Sequence, residues 1–177
     1  MMNKYRIRDN IRELIFGFQD GAIGNLGVVI GMAQASSSNS IILLAGVSTM
    51  MAQTISMSSG NYISIKSEKE YFSVDQDDRY FGRDYAAHKS AFFSSILMGI
   101  SVMVGALIPM LAFFYYTGSG GIIPSVLLTT SGLFIAGVVK SKYTNLSALR
   151  SGMEILIVAI LAALAGYLIG DLFSNLF

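Results

Sequence analysis

Every lysine and arginine of this chain lies in one of three segments, and those segments alternate with stretches that carry no base at all. Lys4, Arg6, Arg8 and Arg12 precede a first apolar run. Lys66, Lys69, Arg79, Arg83 and Lys89 follow a second run, and Lys140, Lys142 and Arg150 follow a fourth. The connections SSSNS and TGSG, after the first and third runs, have none, and neither does the C-terminus. A helix crosses the hydrocarbon layer in about 20 apolar residues, and the runs at 14–35, 41–65, 90–116, 121–139 and 151–174 are of that order. An odd number of spans with bases on alternate connections is what the positive-inside rule produces. It puts the N-terminus in the cytoplasm and the C-terminus outside it, or in an organelle lumen. A bundle in water has no reason to sort its charges this way. The expected fold is therefore an all-α membrane protein, one five-helix transmembrane domain over residues 1–177, with a cytoplasmic loop at 66–89.

Composition agrees with that reading. Only 13% of residues are charged, where a water-soluble domain carries about a quarter. A net charge of +1 excludes a nucleic-acid partner in favour of the lipid bilayer. Cysteine is absent, which removes disulfides, thiolate metal sites and thiol nucleophiles and leaves the redox compartment open. The opening MMNKYRIRDNIRELIFGFQDG has the order of a signal peptide, but Asp20 inside the apolar run and its continuation to Ala35 point to a retained span. There is no HExxH, no phosphate-cradling glycine loop and no cysteine cluster, so nothing suggests an enzyme or a resident cofactor. No targeting signal is seen. The expected residence is the plasma membrane in a prokaryote, or a vacuolar or other organelle membrane in a eukaryote.

Chemistry is concentrated in the first two spans. Asp20 lies about six residues into span one, or ~9 Å along a helix. A carboxylate at that depth faces a cavity or a partner: it is a cation ligand or proton carrier, or an interfacial acid paired with an N-terminal arginine. In span two, Met50, Thr54, Met57, Asn61, Ser64 and Glu68 recur at steps of three or four, on one helical face. Gln53 lies beside them. A methionine stripe alone reads as packing. Mixed with amides, hydroxyls and a carboxylate, it also suits a borderline ion such as Fe²⁺ better than Ca²⁺ or Mg²⁺. Glu68, Glu70, Asp75, Asp77, Asp78, Asp84 and His88 could gather a cation at the mouth, although five bases are interleaved with them. Past span two the helix is expected to continue for a turn or more, turn near Val74–Asp78 and re-enter. The pairs Gly17/Gly21, Gly27/Gly31 and Gly166/Gly170 are GxxxG spacings for close helix packing or dimerisation. Pro124 suits the first turn of span four, and Pro109 is expected to kink span three or mark an irregular turn within it.

Taken in order, these motifs resemble the vacuolar iron transporter family. Span one has Asp20-Gly21 and then Gly27-Val28-Val29-Ile30-Gly31. Span two has Ser56-Met57-Ser58-Ser59-Gly60-Asn61-Tyr62-Ile63-Ser64, similar to the family's SM-x-x-G-E-Y-x-S. Span three has Gly105-Ala106-Leu107-Ile108-Pro109, similar to GALIP. Leu133-Phe134, Gly137, Lys140 and Leu149-Arg150-Ser151-Gly152 resemble the family's LF…G..K…LRSG. The resemblance covers nearly the whole chain. It implies a homodimer of five-span protomers with an ion path at the dimer interface, lined by spans one and two. It also implies export of Fe²⁺, sometimes Mn²⁺, from the cytosol in exchange for protons. The family's span-one acid falls on Asp20 and its pathway methionine on Met57.

Three departures accompany the resemblance. The family's long glutamate-rich cytoplasmic insert is missing, leaving the short 66–89 loop. The glutamate of the GEY motif is Asn61, and a further span-two glutamate is Thr49. Fewer carboxylates mean less compensation for a divalent charge and fewer proton carriers. On this reading Asp20 and Met57 hold the metal, Asn61, Gln53 and Thr49 supply neutral oxygens, and Glu68, Glu70 and His88 stand at the mouth. Two other readings keep the fold: a membrane scaffold that transports nothing, and a carrier of a monovalent or small organic cation.

Overall fold

The structure, a computed structural model, describes residues 10–35, 38–74, 89–144 and 147–176. Five helices account for most of them: α1 Ile11–Ala35, α2 Asn39–Val74, α3 Ala91–Leu111, α4 Ile122–Thr144 and α5 Ala148–Leu176. Each is long and apolar enough to cross a membrane. The secondary structure of the described residues is all helical, as expected. Two 3₁₀ turns, Ala112–Phe114 and Gly118–Gly121, join α3 to α4.

Helix α2 has 36 residues, about 54 Å at 1.5 Å per residue, against a hydrocarbon layer of about 30 Å. It runs past the expected span end at 65, and Lys66–Glu70 ride on its projecting turns. The turn foreseen near Val74–Asp78 and the re-entering helix fall on 75–88, outside the described residues. Pro124 lies in the first turn of α4. Pro109 lies inside α3, which gives way to the 3₁₀ turn after Leu111. The Pro109 carbonyl accepts a hydrogen bond from buried Ser125 Oγ of α4 at 2.7 Å.

Neighbouring helices alternate in direction. Gly46 lies against both Val29 and Met110, and Gly99 against Ser58, so α2 runs opposite to α1 and α3. Gly31 lies against Gly166 and Gly27 against Ala162, so α5 runs with α1. The described bases Arg12, Lys66, Lys69, Lys89 and Lys140 therefore stand at one end of the bundle.

Helix α1 is the hub, and glycine is the reason it can be. A Cβ on Gly21 would collide with the Val102 carbonyl of α3, and one on Gly105 with the Phe18 carbonyl of α1. Across the other side, a Cβ on Gly166 would strike the Gly27 carbonyl and one on Gly170 the Gly31 carbonyl. Backbone meets backbone at both contacts, the use that small residues at a spacing of four have between membrane helices. The expected GxxxG pairs are thus spent inside the protomer: Gly17/Gly21 against α3, Gly27/Gly31 against Gly166/Gly170. Around them, Ala22, Leu26, Ile30, Leu133, Ile155, Ala159 and Ala163 form one apolar cluster, and Val29, Ala33, Ile42, Met110, Ala112 and Phe113 another. At the far end, Asn39 Nδ2 donates to the carbonyls of Phe113 (2.7 Å) and Tyr116 (2.8 Å), and its Oδ1 accepts from Gly118 N (3.1 Å). Gly118 has φ 49° there, a backbone conformation that glycine adopts without strain.

Candidate metal pathway between the first two helices

Glu13, Gly17, Asp20 and Gly24 follow one another on α1 at steps of four, three and four, which puts them on one face. What that face meets can be read from its two glycines. A Cβ on Gly17 would lie 2.9 Å from the Met98 carbonyl oxygen and 3.0 Å from Met98 Sδ, both on α3. A Cβ on Gly24 would collide with Gln53 Nε2, so the Gln53 amide of α2 lies directly over Gly24. The helices are antiparallel. One turn back from Gly24 is Asp20, and one turn on from Gln53 is Met57. Asp20 and Met57 therefore stand at the same level of the seam, and both are half-buried. A turn further along α2, half-buried Asn61 reaches the level of Gly17. Thr54 and Ser58 lie round the helix towards α3, where Ser58 Oγ and Thr54 Cγ2 border Gly99.

The first two helices hold unmet polar atoms. Glu13 Oε2, Asn25 Oδ1, Gln53 Oε1, Thr54 Oγ1 and Asn61 Nδ2 are buried without a hydrogen-bond partner, and all five are on α1 or α2. Leaving one such group unpaired costs about 1–3 kcal/mol, and of the five Gln53 Oε1 lies where α2 meets α1 at Gly24. Four of the five are oxygens. The amide of Asn61 offers either atom, because its nitrogen and oxygen exchange places by a flip.

The expected ligand set is divided by this geometry. Gln53 lies over Gly24, and the antiparallel register puts Met57 level with Asp20 and Asn61 level with Gly17. Thr49 is half-buried one turn beyond Gln53. Glu68 is exposed on the projecting part of α2, and so is Glu70, which pairs with Lys66 at 3.8 Å. His88 is outside the described residues. No three His, Cys, Asp or Glu side chains cluster among the described residues.

Several polar residues of the site region escaped the sequence reading. Asn25, fully buried, donates from Nδ2 to the Ala106 carbonyl of α3 at 2.7 Å. Ser101 Oγ donates to the Leu14 carbonyl, and Ser94 Oγ to Asn10 Oδ1. Glu13 and Lys89 form an ion pair at 2.6 Å, with side chains 1% and 4% exposed. Their signal in the sequence was faint. Glu13 lies seven residues before Asp20, two turns away on the same face. Away from the seam, between α1 and α5, Asp171 Oδ1 accepts from Gln34 Nε2 at 3.2 Å and its carbonyl from Asn175 Nδ2 at 2.8 Å.

Comparison with known proteins gives the site its context. The chain is 24% identical to an uncharacterized protein of Methanocaldococcus jannaschii, over 98% of this chain and 95% of that one. It is 21% identical to a vacuolar iron transporter of Centaurea cyanus, over 90% and 86% of the two chains. It is 24% identical to vacuolar iron transporter homolog 2 of Oryza sativa subsp. japonica, over 94% and 92%. The model of the VIT family matches residues 11–80 and 77–171. This multi-pass membrane protein belongs to the VIT family.

Proposed function

We propose that this protein carries divalent iron or manganese out of the cytosol in exchange for protons, holding the ion between Asp20 and Met57. The observation that carries the reading is the Gln53 amide of α2 over Gly24 of α1, a register that brings Met57 level with Asp20, with Gln53 Oε1 and Asn61 Nδ2 unmet on the same helix. One carboxylate, one thioether and neutral oxygens form a mixed hard and soft set that favours Fe²⁺ and Mn²⁺ over Mg²⁺ and Ca²⁺. The relatives named vacuolar iron transporters support iron as the cargo. Asp20 is the one carboxylate at mid-seam, and so the group that would exchange metal for a proton. Thr49 and Asn61 bring no charge to help it.

We further propose a homodimer through spans one and two. Ala52, Ser56, Gly60 and Ser64 recur at steps of four on the exposed side of α2, and a Cβ on Gly60 would meet nothing within 4 Å. Small residues at that spacing are the pattern by which membrane helices approach one another. By helical geometry this stripe adjoins the Gln53–Met57–Asn61 face, so a partner seated there would border the ion path.

The test is ⁵⁴Mn²⁺ and Fe²⁺ uptake into proteoliposomes with a pH dye inside. Asp20→Ala is expected to lose transport tenfold or more and to lose the accompanying proton movement. Met57→Leu is expected to slow Fe²⁺ more than Mn²⁺, because the thioether serves the softer ion. Parent-level transport of both metals by Asp20→Ala would falsify the assignment.

A further inference from the structure

Glu13 and Lys89 are 76 residues apart in the chain, yet they form the most buried ion pair among the described residues. Taking two charges out of water costs several kcal/mol each, and replacing a buried pair by apolar residues is often neutral or stabilising. Stability is thus a weak reason for its presence, and three features indicate another. First, the pair is incomplete. Lys89 Nζ engages Glu13 Oε1, while Oε2 is buried with no partner. Second, Lys89 sits just ahead of Ser90, the N-cap of α3. The positive end of a helix dipole disfavours a cation, so the field of α3 opposes the hold of Glu13. Third, Glu13 shares the α1 face of Asp20, about 10.5 Å nearer the basic end of the bundle. Met98 Sδ stands between them, over Gly17.

We propose that the Lys89 ammonium is a tethered cation occupying a divalent-cation subsite on Glu13, from which an incoming ion displaces it. A divalent ion can engage both carboxylate oxygens, including the one that lysine leaves unmet, and carries the second positive charge that a lone ammonium lacks. With Lys89 in place, Glu13 is already paired, and the next acid along α1 is Asp20. The lysine therefore sets a threshold, because metal must outcompete it before a second carboxylate faces the path. The inference rests on the reading that a divalent ion uses this seam, but its site is Glu13 and not Asp20.

Mn²⁺ alone is the probe, with free aqueous ion counted by electron paramagnetic resonance on purified full-length protein and thermal unfolding followed in parallel. At free Mn²⁺ too low to displace the lysine in the parent, Lys89→Met is expected to bind one more Mn²⁺ per protomer than the parent. It is also expected to gain roughly 5 °C or more of melting temperature from the metal beyond any gain in the parent. The added binding should vanish in Lys89→Met/Glu13→Gln and in Lys89→Arg, and should persist when Asp20→Ala is added. Persistence in the Asp20→Ala background separates this site from the transport site, whose own failure would leave the added ion untouched. Should the unpaired Glu13 make Lys89→Met unstable, Mn²⁺ must restore its folding and EDTA abolish it. The proposal is overturned if Lys89→Met binds Mn²⁺ as the parent does, or stays unfolded in Mn²⁺. It is equally overturned if the added ion survives Glu13→Gln.

Discussion

Helices α1 and α2 are joined by a three-residue connection and line the same seam, but they are held in opposite ways. Helix α1 touches α2, α3, α4 and α5, and its glycines are pressed against the backbones of α3 and α5. Helix α2 touches α1 and α3 along one side, and exposes Leu44, Met51, Ile55, Tyr62 and Ile63 on the other. The lesson is a division of labour. The helix that supplies the carboxylate is fixed by contacts that cannot yield. The helix that supplies thioether and amides is free on one side for lipid, for a partner, or for movement. An ion held between a fixed and a freer element can be bound and released without rebuilding the core.

The contrast can be broken most severely at the glycines. Gly21→Val would drive a branched side chain into the Val102 carbonyl, and α1 and α3 would have to separate. We expect no folded peak on size exclusion in detergent. The milder Gly21→Ala should cost about 1–3 kcal/mol in a denaturation series. Gly60→Ala on α2 meets nothing in the protomer and should stay within about 0.5 kcal/mol of the parent. An effect between these two is expected at Asn25. Removing its hydrogen bond to Ala106 while also removing its unmet Oδ1 should leave Asn25→Ala about 1 kcal/mol less stable. The gentlest probe disturbs nothing. The chain has no cysteine, so a single Gly60→Cys should cross-link on oxidation in membranes if α2 meets its copy. Leu127→Cys, equally exposed but on α4, should not. Cross-linking at 127 and not at 60 would move the dimer interface to α4.

Much of the fold was legible because length and apolarity of a run state directly that a helix can cross a membrane. The glycine pairs were legible as close contacts. Their partners were not, because Gly17/Gly21 and Gly27/Gly31 look alike in sequence while one meets α3 and the other α5. The α2 stripe was half right. Met50 is buried, Met57 and Asn61 are half-buried, and Ser64 and Glu68 are exposed. A 3.6-residue period drifts around a straight helix, so a stripe this long leaves the seam before it ends. Gln53 looked peripheral and proves to lie against Gly24. Glu13 and Lys89 looked like two ordinary loop-side charges, because nothing local in either segment says that the other is 2.6 Å away.

The central claim, an ion held between a fixed acid and a freer thioether, is tested most directly by anomalous diffraction from crystals soaked in Mn²⁺ or Fe²⁺. The account predicts a metal peak on the α1–α2 seam, in contact with an Asp20 carboxylate oxygen and Met57 Sδ, and absent from Asp20→Ala crystals. A peak that leaves Asp20 and Met57 untouched, or that survives Asp20→Ala unchanged, would contradict it.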